Sequence, residues 1–253
     1  MKARFLTDQG KVRSHNEDAG GIFYNLSDQF LAIIADGMGG HQAGDVASQM
    51  AISLMEEKWK QQSELSSPEE TEQWLSSVIS EINHSIYSYG LQKPECEGMG
   101  TTIVIAICTE EFVTIAHIGD SRCYMLSGSR LNQVTEDHSL VNELVRSGQI
   151  SKDAAEQHPR KNVLLRALGT EEHITSDLES MSWEQGDKLL LCSDGLTNKV
   201  SDEELEALIS SDKDLQEIGE NMVQLANDRG GEDNISLILI HYDASSKGGE
   251  DSC

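Results

Sequence analysis

Five aspartates stand where short apolar runs stop or start: Asp18 after K-V-R-S-H-N-E, Asp36 after F-L-A-I-I-A, Asp120 after F-V-T-I-A-H-I-G, Asp194 after K-L-L-L-C-S and Asp233 before N-I-S-L-I-L-I. A strand end is rigid, so carboxylates from several strands can converge, and clustered carboxylates repel one another unless a hard cation neutralises them. No set of Cys and His ligands of the zinc kind surrounds them, and carboxylate oxygens select Mg²⁺ or Mn²⁺. Four or five such groups are enough for two ions, and two ions sharing a water can generate hydroxide near neutral pH. Asp36 is the expected bridging ligand. Any one of these aspartates read alone is as well a turn residue, because Asp and Gly dominate turns for local backbone reasons.

Two further residues suit the same chemistry. Arg13 lies five positions before Asp18, and its planar guanidinium matches a phosphate dianion bidentately. A surface ion pair is the competing reading of Arg13 alone. His41, in A-D-G-M-G-G-H-Q-A-G, could donate a proton to an alkoxide leaving group or could serve as a helix-start residue. His15, His117 and His138 read as ordinary structural histidines.

Strands are expected near 3–7, 21–25, 29–35, 101–108, 112–118, 121–127, 130–134, 174–180, 187–193 and 234–242, where short apolar or β-branched runs are bounded by Gly, Asp or Asn. Helical periodicity covers 42–61 and 69–90, and later helices fall near 202–210 and 213–228. Ser67, Pro68 and Glu70 form a helix start of the capping-box kind. Residues 101–134 read as an antiparallel meander. Continuous apolar runs such as Thr102-Ile103-Val104-Ile105-Ala106-Ile107 imply strands buried on both faces. The expected fold is α+β, a four-layer α-β-β-α sandwich of two antiparallel sheets flanked by helices. It forms a single catalytic domain over 1–243, followed by a mobile tail at 244–253.

The chain has 253 residues, with 44 acidic against 19 basic side chains and a net charge of −25. Nucleic acid and anionic membranes are disfavoured as partners, since both are bound by clustered Lys and Arg. Five cysteines without a C-x-x-C pair fit a reduced setting. The N-terminus has no apolar h-region, and no run approaches the ~18 residues of a membrane span. A soluble, cytoplasmic monomer is expected.

The strings G-K-V-R-S-H-N-E-D at 10–18, A-D-G-M-G-G-H at 35–41, G-M-G-T-T at 98–102, H-I-G-D-S-R at 117–122, T-E-D-H-S-L-V at 135–141, H-P-R-K-N-V-L-L-R-A-L-G at 158–169, L-C-S-D-G-L-T-N at 191–198 and G-G-E-D-N-I-S at 230–236 resemble, in order, those of the metal-dependent protein Ser/Thr phosphatases called PPM or type 2C. The likeness is greatest to the PrpC type of Gram-positive bacteria. The resemblance implies that Asp36 bridges two Mn²⁺ or Mg²⁺ ions, that the Gly37 carbonyl binds one of them, and that Asp194 and Asp233 complete the pair with Glu17 at or just behind the ions. It makes Asp18 a supporting carboxylate that orders a water rather than a direct ligand. It gives Asp120, with Asp194, a possible third ion, Arg13 the phosphate and His41 the role of candidate general acid. Residues 139–170 resemble the family's flap, in which two short helices are expected around Gly148; Leu140, Leu144 and Val145 would pack on the body, while exposed Asn142, Arg146 and Lys152 would carry specificity.

The activity so implied is hydrolysis of phosphoserine and phosphothreonine in proteins by a metal-activated water, reversing a cognate bacterial Ser/Thr kinase. A catalytically silent phosphoprotein-binding module on the same fold is the alternative, favoured only if a carboxylate or Arg13 were missing. A two-metal nuclease would use similar carboxylates, but the net charge weighs against it.

Overall fold

The computed structural model describes residues 1–40 and 43–243; the expected tail at 244–253 lies outside them. Along the chain run β1 (Lys2–Asp8), β2 (Asp18–Tyr24), β3 (Phe30–Met38), α1 (Ala43–Gln61), α2 (Pro68–Gln92), β4 (Gly100–Thr101), β5 (Ile103–Cys108) and β6 (Phe112–Ile118). There follow β7 (Arg122–Ser127), β8 (Arg130–Gln133), α3 (Leu140–Arg146), α4 (Lys152–Glu156), β9 (Asp177–Ser182), β10 (Lys188–Cys192), α5 (Asp194–Thr197), α6 (Asp202–Ile209), α7 (Leu215–Asp228) and β11 (Ile235–His241).

Side-chain alternation explains why the apolar runs are unbroken. In β3, Leu31, Ile33 and Ala35 pack beneath α1 and α2, while Phe30, Ala32 and Ile34 face the other sheet. In β11, Ile238 and Ile240 face the inter-sheet core and Leu237 and Leu239 pack under α6 and α7. Each fully buried Leu or Ile stabilises the fold by ~1.5–3 kcal/mol relative to exposure. One sheet has the order β1-β11-β10-β7-β8, the other β2-β3-β5-β6-β9 with β4 on β3, and every pairing is antiparallel. The helices cover the outer faces, so the four layers match the expected sandwich.

Several boundaries differ from the sequence reading, and most lie beside the aspartates. β2 starts at Asp18 rather than 21, and β3 continues to Met38 because β4 pairs with Gly37 and Met38. The expected strand 101–108 breaks at Thr102, whose N–H donates to the Asp36 carbonyl at 2.8 Å. Residues 101–134 do not form one meander: β5 and β6 lie in one sheet and β7 and β8 in the other, with the crossing made at Gly119–Ser121. At the start of α2, Ser67 Oγ accepts from Glu70 N, but the Glu70 carboxylate takes the N–H of Ser66, so the box is not closed as expected. Ser201 and Glu204 make the reciprocal box at the start of α6.

Candidate metal centre

Antiparallel pairing brings the aspartates to one end of the sandwich. Asp36, near the end of β3, is the Cα partner of Asp18 at the start of β2. β6 runs in the same direction as β3, which puts Asp120, just past its end, at that same edge. In the second sheet Asp194 follows β10 and Asp233 precedes the antiparallel β11. Two of the carboxylates thus come from one sheet, two border strands of the other, and Asp120 stands in the crossing between the sheets.

Backbone contacts hold the ligands in place. Asp36 N–H donates to Thr102 Oγ1 at 3.0 Å, and Thr101 Oγ1 donates to the Asp36 carbonyl at 2.9 Å. Gly37 N–H donates to the Glu17 carbonyl at 3.1 Å. A Cβ at Gly37 would stand 2.1 Å from the Gly44 carbonyl oxygen, so only glycine allows the strand to pass the start of α1. Asp18 is buried and accepts from Ser193 Oγ at 2.8 Å through Oδ2. Asn198 Nδ2 donates to Asp194 at 2.9 Å.

The electrostatics are those of a buried cluster of like charges. Burial, with Asp18, Asp194, Asp120 and Asp233 nearby, holds the Asp36 carboxyl well above its ordinary value. Burial pushes Asp18 up to about 7 against the opposing hydroxyls of Ser236 and Ser193. Burial and Asp194 push Asp120 up to about 8, and burial and Asp233 push Asp194 up to about 6. Glu17 is also raised, chiefly by burial, with Arg13 opposing. Nearby positive charge is already committed. Arg122 makes a bidentate pair with Asp137 at 2.9 and 2.7 Å, and Arg13 reaches Asp233 at 2.7 Å and Glu17 at 3.9 Å. Asp18 Oδ1 is buried with no hydrogen-bond partner among the described residues. An all-oxygen donor set, raised carboxyls and an orphaned carboxylate oxygen fit a hard divalent cation.

Arg13 remains about half exposed, with its guanidinium at the mouth of the cluster. His41 lies outside the described residues. The flap helices form around Gly148 as expected, with φ +72° at that glycine. Leu144 and Val145 are half-buried. Asn142 is half-buried rather than exposed and donates its amide to the Asp137 carbonyl at 2.9 Å; Arg146 and Lys152 are exposed. All three line a cleft of about 1010 Å³ that also reaches Asp120 and Asp194.

The sequence reading passed over Asn234. Its side chain accepts from Glu17 N–H at 2.8 Å and donates to the carbonyls of Gln9 and His15 at 2.9 Å each, tying the Arg13 loop to β11. Its position directly after Asp233 was the available signal, but its partners are 217 to 225 positions away.

Comparison with known proteins agrees with this fold. The family model described as Protein phosphatase 2C matches residues 9–239. The chain is 49% identical over 248 residues to the serine/threonine phosphatase stp of Listeria monocytogenes serotype 4b, covering 98% of each. The crystal structure of the serine/threonine phosphatase Stp1 from Staphylococcus aureus superposes with a TM-score of 0.92 at 40% identity, over 96% of this chain and 95% of that one. The catalytic domain of the serine threonine protein phosphatase PstP, in complex with 2 manganese ions, superposes with a TM-score of 0.82 at 31% identity, over 94% of this chain and 96% of that one. A family model spanning most of the chain, near-complete coverage of relatives at this identity and the same two-sheet architecture lead to one assignment: the chain belongs to the protein phosphatase 2C family.

Proposed function

We propose that the chain is a metal-dependent protein phosphatase acting on phosphoserine and phosphothreonine. The observation that carries this reading is the convergence of five carboxylates, of which Asp233 is paired with the half-exposed Arg13 while Asp18, Asp36, Asp120 and Asp194 make no ion pair among the described residues. Asp36, the Gly37 carbonyl, Asp194 and Asp233 would hold two Mn²⁺ or Mg²⁺ ions with Glu17 beside them, and Asp120 with Asp194 would hold a further one. Bound there, such ions supply Lewis acidity toward phosphoryl oxygens and an acidified water as nucleophile.

The protein's own groups do the rest. Arg13 binds the phosphoryl oxygens by its planar fork and stabilises charge that grows on them during displacement. Asp18, fixed by Ser193, leaves Oδ1 free to orient a water. The cysteines among the described residues, Cys96, Cys108, Cys123 and Cys192, are buried, which supports direct hydrolysis without a thiol nucleophile. Substrates are phosphorylated proteins, entering along the cleft between the flap at 139–170 and α5–α6, with Arg146 and Lys152 at its exposed wall. The chain acts as a cytoplasmic monomeric single domain over 1–243 opposing a Ser/Thr kinase; no helix of the described residues is long and apolar enough to cross a membrane.

Phosphate release from a phosphopeptide is expected to require Mn²⁺ and to stop on chelation. Turnover that persists in chelator overturns the reading. Arg13→Ala is expected to lower kcat/KM by roughly 10–100-fold, the value of a charge-assisted hydrogen-bonded contact. Arg13→Lys restores only part of it, since an ammonium cannot make the paired contact. Steady-state kinetics decide, and an unchanged kcat/KM in Arg13→Ala removes the phosphate role.

A further inference from the structure

Behind Asp120, away from the cleft, His117, His138 and Asp177 each place a potential ligand atom within 4.8 Å of the others. The arrangement does not suit a metal. The two imidazoles are stacked, with centroids 4.5 Å apart and planes 22° from parallel, so their in-plane lone pairs do not converge on one point. The hydrogen bonds also fix the tautomers. His117 Nε2 donates to the Glu136 carbonyl at 2.9 Å. His138 Nδ1 accepts from Gly119 N–H at 3.1 Å, which leaves the proton of the neutral ring on Nε2, 3.3 Å from Asp177 Oδ2.

These contacts point to a different role. His138 holds Gly119 from both sides: its ring Nδ1 accepts from the Gly119 N–H, and its backbone N–H donates to the Gly119 carbonyl at 2.9 Å. Gly119 has φ +108°, and a Cβ there would stand 2.6 Å from Thr102 Cγ2; Thr102 is the residue that braces Asp36. The next residue is Asp120. The ring itself is held by the His117 stack, with Asp177, which Arg166 fixes at 2.8 Å, near its Nε2 but outside hydrogen-bond geometry. His138 also begins the flap, since its carbonyl accepts from Leu165 N–H at 2.8 Å and Ser139 caps α3.

We propose that His138 is a positioning residue: its two-point hold on Gly119 sets where the Asp120 carboxylate stands relative to Asp36 and Asp194, and joins that carboxylate to the base of the flap. The inference rests on the proposed role of Asp120 as a metal carboxylate. In this arrangement the ring nitrogen that matters is Nδ1, and the contact to Asp177 only steadies the ring.

Asparagine places an amide oxygen near the position of Nδ1, whereas glutamine places its amide near Nε2. The two substitutions therefore separate the Gly119 contact from the Asp177 contact. The experiment is Mn²⁺ titration of the metal-free full chain, read by EPR of free Mn²⁺, for wild type, Asp120→Asn, His138→Asn, His138→Gln and Asp120→Asn/His138→Gln, with an unfolding midpoint for each. His138→Gln is expected to weaken the Asp120-dependent part of the isotherm by about tenfold or more, and His138→Asn by less than about threefold, the range expected for losing or keeping an outer support of a metal ligand. In the Asp120→Asn background His138→Gln adds nothing. A folded His138→Asn that loses the Asp120-dependent binding, or a His138→Gln effect that persists undiminished without Asp120, overturns the proposal. If Asp120→Asn alone leaves the isotherm unchanged, the role given to Asp120 is what fails, and the inference falls with it.

Discussion

Asp36→Asn abolishes Mn²⁺-dependent phosphate release while making the metal-free protein more stable. The loss should be on the order of 10³-fold or greater, because an ion that contributes several kcal/mol of charge stabilisation is displaced or weakened. The gain follows from the same residue. Burial, with Asp18, Asp194, Asp120 and Asp233 nearby, holds the Asp36 carboxyl well above its ordinary value, so the metal-free fold must take up a proton there that the unfolded chain does not carry, and an amide of equal shape removes that cost. The fold is spared, since the hydrogen bonds from Thr101 and Thr102 go to the backbone of residue 36 rather than its side chain. Kinetics together with thermal unfolding in chelator test both halves. Near-normal turnover in the variant would show that Asp36 is not the central ligand, and a lowered metal-free midpoint would show that the buried carboxyl is no cost to the metal-free fold.

In chelator, the protein loses stability as pH rises from 6 to 8, and saturating Mn²⁺ removes that slope. Asp194 at about 6, Asp18 at about 7 and Asp120 at about 8 all lie above the ~3.9 of an unfolded aspartate. Each group is protonated in the fold but ionised in the unfolded chain over the interval between those values. The native state then binds more protons, so the stabilisation is complete below the unfolded value and is lost as pH climbs through the folded one. One retained proton corresponds to about 1.4 kcal/mol per pH unit, which in a domain of this size is roughly 3–6 °C in midpoint. Mn²⁺ requires the ionised form and supplies the missing counter-charge. Unfolding scans at pH 6, 7 and 8 with and without Mn²⁺ should diverge as pH rises; parallel curves would mean that the carboxylates are not mutually strained.

The sequence made the strands of this fold readable because burial on both faces leaves no polar alternation to confuse with a helix; β3, β5, β10 and β11 are of this kind. It also pointed to all five aspartates, since each borders such a run. What it could not supply were contacts set by chain segments distant in sequence. β3 outruns its apolar run because β4 pairs with it, and nothing local to Gly37 announces that. The crossing at Gly119–Ser121 looked like one more hairpin, since a turn that changes sheets has the same composition as one that does not. Asn142 was read as an exposed specificity residue because its spacing cannot reveal that the Asp137 carbonyl takes its amide. Asn234 stands beside Asp233, but its partners, more than two hundred positions away, are equally hidden from local spacing.

Because Asp18 and Asp36 stand on one sheet, Asp194 and Asp233 border strands of the other, and Asp120 sits in the crossing between them, the span across the centre depends on how far apart the two sheets pack. Ile34, Val104, Leu191 and Ile238, none of them near a phosphate, fill that gap. A change in their volume is therefore expected to alter that span and, with it, the affinity for the ions. Residues that touch no ion thus belong to the design of the centre as much as its ligands do, because they hold its two halves apart.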